Sequence, residues 1–92
     1  MPRSARSVPM ELAPAPWPEH RAEDPIAEVA RQMALRTRAA LEGRSIRAVA
    51  QAAGVSHVTL INVLSGRAWP DLTTIAKLEL ALEVDLWPGR PD

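Results

Sequence analysis

The sequence predicts an all-α protein, a small bundle of four to five helices preceded by an extended, proline-rich N-terminal arm. Three observations carry that expectation. The 92 residues contain no cysteine, phenylalanine or tyrosine, so the apolar content is mostly Ala, Leu, Val and Ile, a mixture that suits close helix packing better than pleated sheet. From residue 24 onward, apolar residues recur at helical spacing between cap-forming residues. Five of the nine prolines fall within residues 1–23, where neither a helical nor an alternating period is sustained.

A chain of 92 residues is long enough for one core and too short for two. Without cysteine, neither a disulfide framework nor a thiolate zinc site can supplement that core. No apolar run reaches the length of a membrane span, and the N-terminal arginines are followed by prolines and charges rather than an apolar signal segment. The expectation is therefore a cytoplasmic protein with no membrane association.

Taken in order, the first element is the arm, residues 1–23. Proline removes amide donors and disfavours α geometry in the residue before it, so the arm reads as extended, semi-rigid and flexible with respect to the rest. Three uses remain open for it: a plain tail, an arm that enters a DNA groove through Arg3 and Arg6, or a docking segment built on Trp17 between Pro16 and Pro18. A folded domain over residues 24–88 and a short tail over 89–92 complete the organisation.

The first helix is expected over 24–42. Asp24 is a good N-cap, Pro25 fits the first helical position, and Gly43 can close the far end in left-handed geometry. Ile26, Val29, Ala30, Met33, Thr37, Ala40 and Leu41 share its inward face. Leu35 lies off that face and is a candidate for a partner contact.

The stretch "SIRAVAQAAGVSHVTLINVLSG", Ser45 to Gly66, predicts two short helices pinched apart by a turn. Ser45 caps a helix near 46–53 whose apolar face is Ile46, Val49, Ala50 and Ala53, and Gly54 supplies the positive φ that a tight turn needs. Ser56 caps the next helix, 56–65, with Leu60, Val63 and Leu64 inside and Gly66 closing it. Ala50 is small where two helices joined by a short turn must cross closely, which is helix-turn-helix spacing. A fourth helix, 72–83, is capped by Asp71 and faces inward through Leu72, Ile75, Leu78 and Leu82, leaving Leu80 pointing elsewhere. In the closing "VDLWPGRPD", Trp87 is expected to fold back over the core, and Trp69 to act as a lid on the core or a wedge against a DNA backbone.

Charge is distributed unevenly along a chain whose formal net charge is zero. Residues 1–23 and 24–43 are each balanced, three arginines against three carboxylates. Residues 44–70 hold Arg44, Arg47 and Arg67 and no carboxylate, whereas 71–92 carry two cations against five carboxylates. A polyanion is thus attracted to one part of the molecule and repelled by another.

Across residues 45–84 the sequence resembles the lambda-repressor and Cro-like (Xre-type) helix-turn-helix proteins. The resemblance rests on Ala50, Gly54, the apolar positions Val49, Val55, Leu60 and Val63, and then "SGRAWPDLTTIAKLELALEV", similar to the family's loop and fourth helix. It implies a sequence-specific DNA-binding transcriptional regulator, repressor-like, whose second motif helix enters the major groove. By resemblance, His57, Val58, Ile61 and Asn62 face base edges. Asn62 leads among them, because an amide can pair with adenine N6 and N7 together, while His57 could donate to guanine and Val58 pack on a thymine methyl. Ser56, Thr59, Arg44, Arg47 and Arg67 suit phosphate. Glu79 and Glu83 stand where the family usually has small residues, and little chain remains for a fifth helix, which leaves the usual dimerisation surface in question.

Catalysis is not expected. Ser56 and His57 adjoin at a helix start, where their side chains diverge, and no nucleophile elbow accompanies them. His20 and His57 have no metal-ligand spacing, so neither a metal nor a cofactor is implied. The partner expected first is double-stranded DNA, with a homodimer possible. The second reading is a protein-interaction module, antitoxin-like or an adapter subunit, that engages its partner through the arm with Trp17, Leu35, Leu80 and Trp87.

Overall fold

The computed structural model describes residues 7–91; Arg3 and Arg6 lie outside the described residues. Within them are four α-helices and no strand: α1 (Pro25–Leu41), α2 (Ile46–Ala53), α3 (His57–Leu64) and α4 (Leu72–Leu82), preceded by a 3-10 turn at Pro9–Leu12. Each start follows from its cap. Asp24 accepts hydrogen bonds from the Ile26 and Ala27 amides at 2.9 Å, and Pro25 occupies a first-turn position whose amide would have had no helical partner. Asp71 takes the Thr74 amide at 2.7 Å, and that contact, made by the charged form, holds its carboxyl below the usual range.

The core gathers Val29 and Met33 of α1, Val49 and Ala50 of α2, Leu60 and Leu64 of α3, and Ile75, Leu78 and Leu82 of α4. Helix α2 packs on both α3 and α4, and α1 backs α3. Three expectations about this core need correction. Ile26, in the first turn of α1, is 58% exposed, and Leu72, at the first position of α4, is 79% exposed, so the inward stripe of each helix begins only after its first residues. The core is closed at its C-terminal end by Leu86, fully buried, and not by Trp87, which is half exposed. The reason lies in Glu79, whose Oε2 accepts from the Leu86 amide at 2.8 Å and the Trp87 amide at 3.0 Å. These two bonds, that to Trp87 first, lower the Glu79 pKa and set the chain direction that turns Leu86 inward. The Glu79 carboxylate thus ties down the segment that follows α4.

The described part of the arm, from Ser7 to Glu23, lies against the bundle. Pro9, Pro18 and Ala22 are buried. The arm covers a second face of α1 made of Ala27, Glu28 and Ala34, all buried and none on the inward stripe that periodicity identifies. Here the packing is polar. Glu28 accepts from Arg31 Nε at 2.8 Å and Nη2 at 2.9 Å, from Gln32 at 3.0 Å, and from the Ala22 amide at 2.8 Å. Arg31 in turn donates to the Pro18 carbonyl at 2.9 Å. The Arg31 bonds, followed by those of Gln32 and Ala22, outweigh burial and hold the Glu28 carboxyl down to about 2. A buried charge with every acceptor site used is tolerable where an unpaired one would not be.

Candidate nucleic-acid interface

The site is the α2–turn–α3 unit, and its geometry is set locally. Ser45 accepts the Ala48 amide at 3.0 Å. At the other end of α2, Gly54 adopts φ 74°, and its amide donates to the Ala50 and Gln51 carbonyls. The Val55 amide also reaches the Ala50 carbonyl, at 3.0 Å, so the turn reverses tightly. Ser56 then takes the Thr59 amide at 3.3 Å and restarts the chain as α3. Ala50, 1% exposed, sits at the crossing, where a larger side chain would separate the helices.

With Leu60, Val63 and Leu64 buried, the opposite side of α3 is turned outward. Val58 is 61% exposed, and His57, Thr59, Ile61 and Asn62 are half-buried. The four residues His57, Val58, Ile61 and Asn62 fall at i, i+1, i+4 and i+5, one continuous strip of a helix. The structure therefore brings the base-contact candidates together on the outward side of α3, with Val58 exposed and the other three half-buried. No carboxylate occurs in the segment between Arg44 and Pro70 that carries this strip.

The basic candidates divide. Arg47 on α2 and Arg67 after α3 are exposed, and the two ion pairs among the described residues, both made by Glu28, involve neither. Arg44 is exposed but engaged, its Nε and Nη2 donating to the Leu41 and Ala40 carbonyls, each at 3.3 Å, at the C-terminus of α1. A cation at that helix end is stabilised by the dipole, a role that follows from Arg44's place just beyond α1. One basic residue was missed altogether. Lys77 of α4 reaches the Gly54 carbonyl at 3.5 Å, placing an ammonium beside the turn. A partner that is a backbone carbonyl 23 residues away leaves no local signal.

The candidate protein-contact residues also separate. Leu80 is 81% exposed and Leu35 41%, so both present apolar surface, as does Trp87. Trp17 does not: it is half-buried, its ring lies over Gly66, and its Nε1–H donates to the Leu64 carbonyl at 2.9 Å. No group of His, Asp or Glu that could hold a metal occurs among the described residues. No helix among them is long and apolar enough to cross a membrane.

Compared with known proteins, residues 35–86 match the family model described as helix-turn-helix (HTH_3), a span that runs from the middle of α1 to Leu86 and covers more than half of the chain. No curated protein matches the sequence.

Proposed function

From the premise that this chain belongs to the Xre/lambda-repressor-like helix-turn-helix family of DNA-binding regulators, we propose that it is a sequence-specific, repressor-like transcriptional regulator that reads the major groove with α3. The observation that carries this reading is the outward strip of α3, with Val58 exposed beside His57, Ile61 and Asn62, in a segment without carboxylate. A helix of this kind fits the major groove, where each base pair presents a distinct pattern of donors, acceptors and methyl. Asn62 pairs with an adenine edge, His57 donates to guanine or a phosphate, and Val58 and Ile61 supply apolar contact. Arg47 and Arg67 contact phosphate, with Ser56, Thr59 and Arg44 alongside, and these contacts fix register without reading sequence. Arg3 and Arg6 of the arm are further candidates for contact with the same duplex. The chain acts as a regulator and not an enzyme, in the cytoplasm on the nucleoid.

The test is selection of duplexes from a random-sequence pool by the purified chain, followed by titration of the enriched duplex at several salt concentrations. An enriched motif and a linear loss of log affinity with log salt support the reading. Retention of no preferred sequence sinks it.

A second reading is favoured by one observation. Leu72 and Leu80 of α4 are 79% and 81% exposed, with exposed Ala76 midway between them, so α4 shows an apolar stripe to solvent. That stripe, with Leu35 and Trp87, suits a protein-interaction module, antitoxin-like or adapter. Loss of a protein complex in Leu80→Glu, with DNA selection unaffected, would establish it.

A further inference from the structure

We propose that the N-terminal segment is a brace that fixes the aim of α3, with Trp17 as a positioning residue for base readout; this rests on the DNA-reading function above. Helix α3 is two turns long, too short to hold its own direction, so its orientation is whatever its neighbours impose. Its inner face is held by Leu60, Val63 and Leu64, but its C-terminal end is held from outside the motif. Two donors meet on the Leu64 carbonyl, Trp17 Nε1–H at 2.9 Å and Arg38 Nη2–H at 3.0 Å. A third bond, from the Met10 amide to the Gly66 carbonyl at 2.9 Å, binds the turn that follows.

The contact is shaped as well as bonded. Gly66 is buried at φ 77°, and a Cβ there would come within 2.8 Å of the Trp17 ring and 2.9 Å of Met10 Cβ. The indole therefore lies directly on backbone, with no side chain between them to absorb movement.

A brace must be fixed at its far end, and this one is fixed at two points. Beyond Trp17, the Pro18 carbonyl accepts from Arg31, which is locked to Glu28, and Glu28 also takes the Ala22 amide. At the start of the described chain, Trp69 Nε1–H donates to the Ser7 carbonyl at 2.8 Å. The segment thus spans from the second face of α1 to the loop after α3. The family match begins at residue 35 and leaves this device unaccounted for.

The lever arm is short. Asn62 lies two residues before Leu64, and its carbonyl accepts the Arg67 amide at 2.9 Å and the Ala68 amide at 3.2 Å, so a shift at Leu64–Gly66 passes directly to the residue that pairs with adenine. A paired amide loses its hydrogen bonds over a displacement of well under about 1 Å.

The experiment compares wild type, Trp17→Ala and Trp17→Phe as full chains, on the duplex that wild type enriches from a random pool and on a shuffled duplex. Trp17→Ala is expected to lower affinity for the enriched duplex about tenfold or more while changing affinity for the shuffled duplex less than about twofold, the size of one lost base contact. Trp17→Phe, which keeps a ring over Gly66 but has no donor, falls between. Amide hydrogen exchange should quicken at Ser65–Ala68 and stay unchanged at Val49–Ala53. An unchanged ratio of the two affinities in folded Trp17→Ala overturns the brace and leaves the DNA-reading function standing. If Trp17→Ala lacks helical circular dichroism, the same ratio in Trp17→Phe decides. If wild type enriches no duplex, the DNA-reading function fails and the brace falls with it.

Discussion

The helix-turn-helix unit and the N-terminal segment are held by opposite means. Between Ser45 and Gly66 the chain is stabilised by local caps and an apolar interior, with Leu60 and Val49 essentially inaccessible. Between Ser7 and Glu23 it is held by long-range polar contacts: indole N–H groups on carbonyls, and a carboxylate shared by a guanidinium, an amide side chain and a backbone amide. The difference teaches where function can be tuned. An apolar interior tolerates surface change around it, whereas a polar strut depends on each donor staying in place.

The comparison breaks most sharply at Leu60. Leu60→Ala removes a fully buried side chain at the junction of α3 with the core and is expected to cost about 2–5 kcal/mol, read from denaturant midpoints. All DNA binding should fall with it. A cost below about 1 kcal/mol would mean that the apolar interior does not support α3.

The polar region should respond to acid where the apolar one does not. Glu28 has its pKa held from the ordinary 4.5 down to about 2, chiefly by Arg31, so its ionised form is favoured by folding. Its contribution, about 3 kcal/mol, is complete above about pH 6 and is lost as pH falls from 4.5 toward 2. Hydrogen exchange followed down this range should show the Ala22 amide released while the α2–α3 amides remain protected longer. The Glu28→Gln variant should flatten the acid dependence of stability; an unaltered acid profile would remove Glu28 as its cause.

How much of this was legible in the sequence follows the same divide. Asp24, Ser45, Ser56 and Asp71 each announced a helix start, and each caps one, because caps and helical periods are written within a few residues of where they act. The outward strip from His57 to Asn62 followed by arithmetic once Leu60, Val63 and Leu64 were taken as inner. The arm's packing was not legible, since prolines and the lack of a period indicate only an extended chain, and its partners are a carbonyl 47 residues away and a carboxylate that entered only the charge count. The inversion of Leu86 and Trp87 escaped for the same reason. It is decided by Glu79, seven and eight residues upstream, through bonds that no periodicity encodes. For Arg44, residue type indicated phosphate, yet position gave it the end of α1 as well.

A smaller effect on the fold sharpens the contrast within the site itself. Arg67→Ala and Arg47→Ala alter exposed side chains, so stability should move by less than about 0.5 kcal/mol. Affinity should weaken for every sequence alike, and the salt slope should fall by about 1 for each arginine removed. Fluorescence anisotropy over a salt series checks this, and an unchanged slope in Arg67→Ala would end its phosphate role.

Asn62→Ala tests the central claim most directly, because the fold should scarcely register it. Asn62 is half-buried on the outward strip, and its carbonyl, which ties down the loop, is retained. The measurement is the affinity of wild type and Asn62→Ala for the selected duplex, for its single-base variants and for a shuffled duplex. The expected result is a loss of about 1–3 kcal/mol on the selected duplex, relaxed preference at one base pair, and unchanged binding to the shuffled one. Equal preference at every base pair in wild type and variant would contradict the claim that α3 reads DNA through Asn62.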